Sequence, residues 1–182
     1  MAMTLPTIPQ LPAGYVVQVA DMNALANCAT FLMTKPMARA YDGTGGQTIP
    51  ATTETQVAYT AVNFDTDGMW AVGHPSRFTI QTPGFYKFNY SVITNGVTCR
   101  SQMTMVTGAN NPQGAGVTPS SHLASSAVVN TMGGSSGGGV WPYYLWPLDY
   151  IYVTTYCNAL ASQWTSTSTT PGSCFSAEWM SM

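Results

Sequence analysis

What this chain lacks first is charge. Only 7% of its 182 residues are charged, five basic and seven acidic, for a net charge of −2. Soluble domains carry about 25%. Long solvent-facing helices, which usually present Glu and Lys, are nearly excluded. Nucleic acid is excluded as a partner, because phosphate binding needs clustered cations and these five stand singly. No run approaches the roughly 18 apolar residues of a membrane span, so no membrane insertion is expected. The first residues, Met1 to Pro6, carry no positive segment and no apolar core, so no signal peptide is expected. Two histidines and four separated cysteines, with no Cys-x-x-Cys pair, give no zinc pattern. No metal and no cofactor is expected. Cys28, Cys99, Cys157 and Cys174 read as buried free thiols of a chain made in a reducing cytoplasm. The sequon Asn89-Tyr90-Ser91 falls in a strand pattern and reads as chance.

What the chain has is apolar and aromatic material, 45% and 12% of its residues. That is too much for charge-driven disorder, and the length suits one domain with a short appendage. Its polar surface is built from Ser, Thr, Asn, Gln and Gly. A surface this poor in charge is either neutral and polar or largely covered by neighbouring subunits, and the second reading is favoured.

Residues 5–12 alternate Pro6, Pro9 and Pro12 with Leu5, Ile8 and Leu11. Proline at every third position favours a stiff polyproline arm, which loses little entropy when it docks on another protein. One helix follows, with Asp21 as its expected N-cap and Pro36 as its stop. Met22, Leu25, Ala26, Ala29, Leu32 and Met33 make a narrow seam of about two heptads. A helix this short must pack on something. Either three copies meet around an axis, or the helix covers one end of its own domain.

From Gln56 onward the apolar period is two. Tyr86, Phe88, Ile151 and Val153 are expected in the core, and Asp67-Gly68, Pro83-Gly84, Asn95-Gly96 and Pro171-Gly172 mark turns. The fold expected is all-β, an antiparallel jelly-roll sandwich over 37–182, preceded by an extended arm and one short α-helix over 1–36. Around Ile151 and Val153 the alternate face is Tyr150, Tyr152 and Tyr156. A strand apolar on one face and aromatic on the other is expected to be buried twice, once against a partner.

The segments Phe64-Asp65-Thr66-Asp67-Gly68-Met69-Trp70, Arg77-Phe78-Thr79-Ile80 and Thr82-Pro83-Gly84-Phe85-Tyr86-Lys87-Phe88 resemble the complement globular-head / tumour-necrosis-factor superfamily. So do Leu148-Asp149-Tyr150-Ile151-Tyr152-Val153 and the closing Ser173 to Met180, although Leu148 and Ala177 stand where that family favours Gly. The stretch from Leu11 to Pro36 resembles the opening of virion proteins of actinobacterial phages, minor tail or head-surface proteins. The resemblance implies a homotrimer fixed to a larger virion by its N-terminal segment, synthesised in the host cytoplasm. Leu5, Ile8, Leu11, Met22, Leu25, Ala29 and Leu32 are the expected contacts with other virion proteins or with further copies.

No catalytic constellation is visible. Gly133-Gly134-Ser135-Ser136-Gly137 satisfies the nucleophile-elbow spacing but lies in a Gly/Ser run with no following helix, and is expected to be a flexible loop. Asp65 and Asp67 form half a calcium loop without the later acid, and read as a turn. His74 reads as an exposed loop residue, and His122 has no patterned partner. Trp141, Tyr143, Tyr144 and Trp146 could stack on sugar rings, so a host-surface glycan is the alternative ligand; the other reading places these rings in an interface or the core.

Overall fold

The alternation of apolar residues after Gln56 folds as two facing sheets. The computed structural model describes residues 5–44, 46–95, 98–116, 125–128, 134–140, 144–163 and 172–182. One helix, α1 (Val19–Met33), precedes β1 (Met37–Tyr41), β2 (Thr48–Ile49), β3 (Thr55–Gln56) and β4 (Ala61–Asp65). Then come β5 (Arg77–Thr79), β6 (Phe85–Ile93), β7 (Cys99–Val106), β8 (Ser125–Val128) and β9 (Gly134–Val140). The chain closes with β10 (Tyr150–Cys157), β11 (Ala161–Ser162) and β12 (Cys174–Ser181). One sheet has the order β4-β1-β12-β6-β9, the other β3-β10-β7-β8 with β5 also on β10. These strands pair antiparallel throughout. The architecture is an all-β antiparallel jelly roll with one short helix.

The core lies between the sheets. Tyr86, Phe88, Ile151 and Val153 are fully buried, as their two-residue spacing requires. Phe175 stacks on Phe78 with centroids 4.4 Å apart, and on Tyr59 at 5.8 Å and Phe88 at 6.0 Å. Burial pushes the Tyr59 and Tyr86 hydroxyls well above the ordinary tyrosine range.

Three sequence expectations are corrected. The Gly/Ser run is not a loop from Gly134 onward: it is β9, paired with β6 from Ile93↔Gly134 to Lys87↔Val140. Glycine is a poor strand former, but Gly139 and Gly137 stand directly opposite the bulky Phe88 and Tyr90. Small residues there complement large ones across the ladder.

Second, Cys99 and Cys157 are not free thiols. They face each other in the β7–β10 register and form a disulfide, enclosed with Ile49 and Ala161. Cys28 and Cys174 remain free. A separation of 58 residues along the chain hides a pairing that only the register creates. Replacing both cysteines by alanine is expected to cost about 2–4 kcal/mol, because the cross-link restricts the unfolded chain. A urea unfolding midpoint unchanged in the double variant would contradict this.

Third, the N-cap is Gln18, not Asp21. Asp21 sits three residues into the cap sequence, and its Oδ2 accepts the Gln18 backbone N–H at 2.8 Å. Its charge still favours the helix start, where unpaired amides concentrate positive potential.

Candidate functional site

The two sets of residues that the sequence offers as separate contact sites meet, where described, at one end of the sandwich. The arm, α1, the end of β12 and the segment 144–149 converge there.

Helix α1 is two-faced. Its inward contact is Phe31, buried at 8% exposure, whose ring stands edge-on to Trp179 with centroids 5.1 Å apart. On the same side Cys28 Sγ approaches the carbonyl of Thr7, and Pro6 and Thr7 line a groove of about 480 Å³ with Ala24, Asn27 and Thr30. The helix exit is fixed as well. Pro36 O accepts the Trp179 N–H at 2.9 Å, and Lys35 Nζ pairs with Glu178 Oε1 at 2.6 Å. The helix therefore covers one end of its own domain. The seam residues point elsewhere: Met22 is 58% exposed, Leu25 43% and Leu32 65%, and Ala29 is exposed too. Positions 22, 25, 29 and 32 lie roughly a third of a turn around the helix from 24, 28 and 31, at 100° per residue. Within one chain the helix uses only its Phe31 side, and the seam side remains available to other contacts.

In the arm, Leu5 packs against the core, whereas Ile8 and Leu11 are exposed. Its first described residues lie on the chain's own helix.

The Trp179 indole N–H donates to Pro83 O at 3.1 Å. Beside it Gly84 has φ +149 and exchanges two backbone hydrogen bonds with Leu145. A Cβ on Gly84 would stand 2.3 Å from Trp179 Nε1 and 2.6 Å from Ser181 O, so glycine is required for the close approach. Phe85, next along, stands edge-on to Tyr144 at 5.5 Å, and Tyr144 packs on Trp146 at 5.1 Å. Trp146 is 37% exposed. Trp141 and Tyr143 lie outside the described residues, as does His122. Met180, Met182, Leu148, Leu32 and Met33 are exposed in addition. The result is an apolar end carrying the termini of α1 and β12.

Two buried carboxylates build this region. Asp149 is fully buried: Oδ1 accepts the Gly108 N–H at 2.6 Å, and Oδ2 accepts Trp146 N–H at 2.8 Å and Asn111 Nδ2 at 2.9 Å. Asp67 is buried as well and receives both the backbone N–H and the hydroxyl of Thr82 at 3.1 Å. Asp65 accepts four backbone amides, those of Asp67, Gly68, Met69 and Trp70. Asp65-Thr66-Asp67-Gly68 is therefore a turn held by its own carboxylates, with both Asp65 oxygens already engaged. Elsewhere Asp42 is buried, which pushes its carboxyl above the usual range, while bonds from the Thr60 hydroxyl and the Thr44 amide pull it down.

Among the described residues no three His, Cys, Asp or Glu side chains converge as metal ligands would. His74 is an exposed loop residue. Five of the seven acids are already committed to caps, turns, loop ties or an ion pair: Asp21, Asp65, Asp67, Asp149 and Glu178. The residue that sequence reasoning missed is Phe31; Trp179 and Gly84 are read there only as strand alternation and as a turn, not as the contacts that hold the helix. The signal for Phe31 is that it is the one aromatic in α1, sitting off the seam series.

Leu148 has φ +76, in the left-handed region where β-carbons are strained, just where the resembled family has glycine. It is half exposed, so little burial is lost on shortening it. Leu148→Gly is expected to raise stability by about 1 kcal/mol, the relief of left-handed strain outweighing the added unfolded-state entropy. A lowered thermal midpoint would show that the Leu148 side chain contributes more than its conformation costs.

No family model matches the chain, and no curated protein does. Solved structures do match. The globular domain of zebrafish complement 1qA protein superposes with a TM-score of 0.52 at 17% identity, covering 80% of this chain and 98% of that one. Murine APRIL gives 0.53 at 15% identity with the same coverage. The fold is a complement-1q/tumour-necrosis-factor-type jelly roll. At these identities the likeness concerns the fold alone. The shared two-sheet architecture accounts for the alternation in β6, β10 and β12.

Proposed function

We propose that this chain is a non-enzymatic structural protein of a bacteriophage particle, a homotrimeric jelly roll fixed to the virion through its N-terminal end. The observation that carries the reading is the open seam of Met22, Leu25, Ala29 and Leu32. Its helix is already anchored to its own domain through Phe31 and Trp179. An amphipathic helix whose apolar residues split between two directions is built to hold two bodies at once. The low charge of the chain supports the same reading, since surface covered by neighbours needs few charges for solubility. The commitment of five of the seven acids to structural roles supports a role without catalysis.

The glycan reading through Trp141, Tyr143, Tyr144 and Trp146 gains no observation. Tyr144 packs on both Trp146 and Phe85 at the helix-bearing end, so a sugar there would compete with docking.

Light scattering on the purified full-length chain is expected to give a mass near three times 19.4 kDa, and peptide mass spectrometry is expected to find the chain in purified particles. Leu25→Asp with Leu32→Asp is expected to abolish incorporation while leaving the far-ultraviolet spectrum unchanged. A clean monomer would remove the trimer, and absence from purified particles would remove the virion role.

A further inference from the structure

The outer face of β10 carries Tyr150, Tyr152, Thr154 and Tyr156 at alternate positions, while Ile151 and Val153 fill the core. The three tyrosines are half-buried rather than covered. Two of the chain's five cations lie on these rings. The Arg77 guanidinium sits 4.3 Å from the Tyr150 centroid, and that of Arg100 sits 4.9 Å from Tyr156. Tyr150 and Tyr152 lie 6.2 Å apart with planes tilted by 30°. Tyr150 to Tyr156 spans about 20 Å of strand.

This face has polar capacity that the chain itself leaves unused. Among the described residues Arg77 forms no ion pair, and Arg100 reaches only Glu54, at 4.0 Å. Arg77 Nε and Thr154 Oγ1 are enclosed without a hydrogen-bond partner, and Thr154 is 8% exposed. Both atoms are closed to solvent, so what a ligand can reach on this face is the part-exposed remainder of the Arg77 guanidinium and the exposed Arg100. The β7 neighbours on the same face, Gln102 and Thr104, add neutral donors and acceptors.

We propose that this face of β10 is a binding platform for an acidic saccharide. Sugar rings lie along Tyr150 and Tyr152, and sugar carboxylates take the free edges of the Arg77 and Arg100 guanidiniums. A guanidinium already laid on a ring is pre-oriented, and its fork matches a carboxylate in a way an ammonium does not. The ring faces and neutral amides favour a saccharide over an acidic peptide, which would use the cations but not the rings. The platform is rigid because β10 is paired on both sides, with β7 and with β3 and β5. It is separate from the helix-bearing end. Sequence alternation alone would set this face against a partner subunit; as a saccharide platform it must instead stay open to solvent in any trimer.

The test is affinity electrophoresis of the full-length chain in native gels containing alginate, dextran or poly-glutamate. Retardation by alginate alone is expected. Arg77→Gln and Tyr152→Ser are each expected to weaken it about tenfold, the worth of one charge-assisted contact. Arg100→Gln, at an exposed position, is expected to weaken it in the same direction without any risk to folding, and Trp146→Ala is expected to leave it unchanged. The proposal is overturned by no retardation in alginate, by equal retardation in dextran, or by equal retardation in poly-glutamate, which would indicate an acidic protein partner. Alginate binding indifferent to all three platform variants would overturn it equally.

Discussion

Asp149→Ala is expected to destabilise the domain by about 3–5 kcal/mol, since each buried donor left unpaired costs about 1–3 kcal/mol. The carboxylate is fully buried and is the common acceptor for Gly108 N–H, Asn111 Nδ2 and Trp146 N–H. It therefore ties the loop after β7 to the segment before β10. Two of the three donors are backbone amides that have no other place to go once the strands are paired. Against a total stability of about 5–15 kcal/mol, that loss leaves a domain near its threshold. Glu54→Ala, removing an exposed acid, is expected to shift the urea midpoint hardly at all. Asp149→Asn keeps one acceptor oxygen and is expected to lose less than the alanine variant. A midpoint for Asp149→Ala equal to that of Glu54→Ala would mean the three donors find other partners. The neighbouring glycine reinforces the point: a Cβ on Gly108 would lie 2.2 Å from the Leu148 carbonyl carbon, so the loop approaches as closely as backbone permits.

Gly84→Ala is expected to cost about 2–4 kcal/mol, at or above the usual range for overpacking because the obstacle is partly backbone. Its effect differs in kind from that of Asp149. The new methyl would occupy the place of Trp179 Nε1 and Ser181 O. To admit it, the indole must leave Pro83 O and shift against Phe31. The helix would then lose its single buried residue. Release of α1 before global unfolding is the expected signature. Limited proteolysis should cleave within residues 19–36 at denaturant concentrations where the parent is intact, together with altered tryptophan fluorescence. Phe31→Ala should reproduce the proteolysis with a smaller loss of global stability. Cleavage confined to the globally unfolded state would show that Trp179 is not what holds the helix. In the virion reading, both variants loosen the lever through which the seam at Met22, Leu25, Ala29 and Leu32 holds the jelly roll to its mount.

The residues proposed to dock are partly legible in the sequence. The heptad spacing of α1 marks its open seam, because helical periodicity is a local property. It does not mark Phe31, whose importance comes from a tryptophan 148 positions later in the chain. The same limit governs the glycan candidates: the run from Trp141 to Trp146 is conspicuous as composition, yet only the Gly84–Leu145 bridge puts Tyr144 and Trp146 beside the helix-bearing end. The tyrosine face of β10 is visible as alternation. Its arginines are not, since Arg77 and Arg100 reach it from β5 and β7.

Sequence alone determined that the chain is all-β with one short helix, that Asp67-Gly68 is a turn, and which face of β6, β10 and β12 is core. Those features follow from period-two alternation and from turn residues, both read within a few positions. Gly96 and Pro171, of two further turn signals, lie outside the described residues. Tertiary structure decided that Cys99 meets Cys157, that a Gly/Ser run becomes β9, and that the helix seam stays open while Phe31 is buried. Each of those depends on strand register and on contacts between segments far apart in the chain. Register is a collective choice of the whole sheet, set by the total core it buries and not by the residues at any one position.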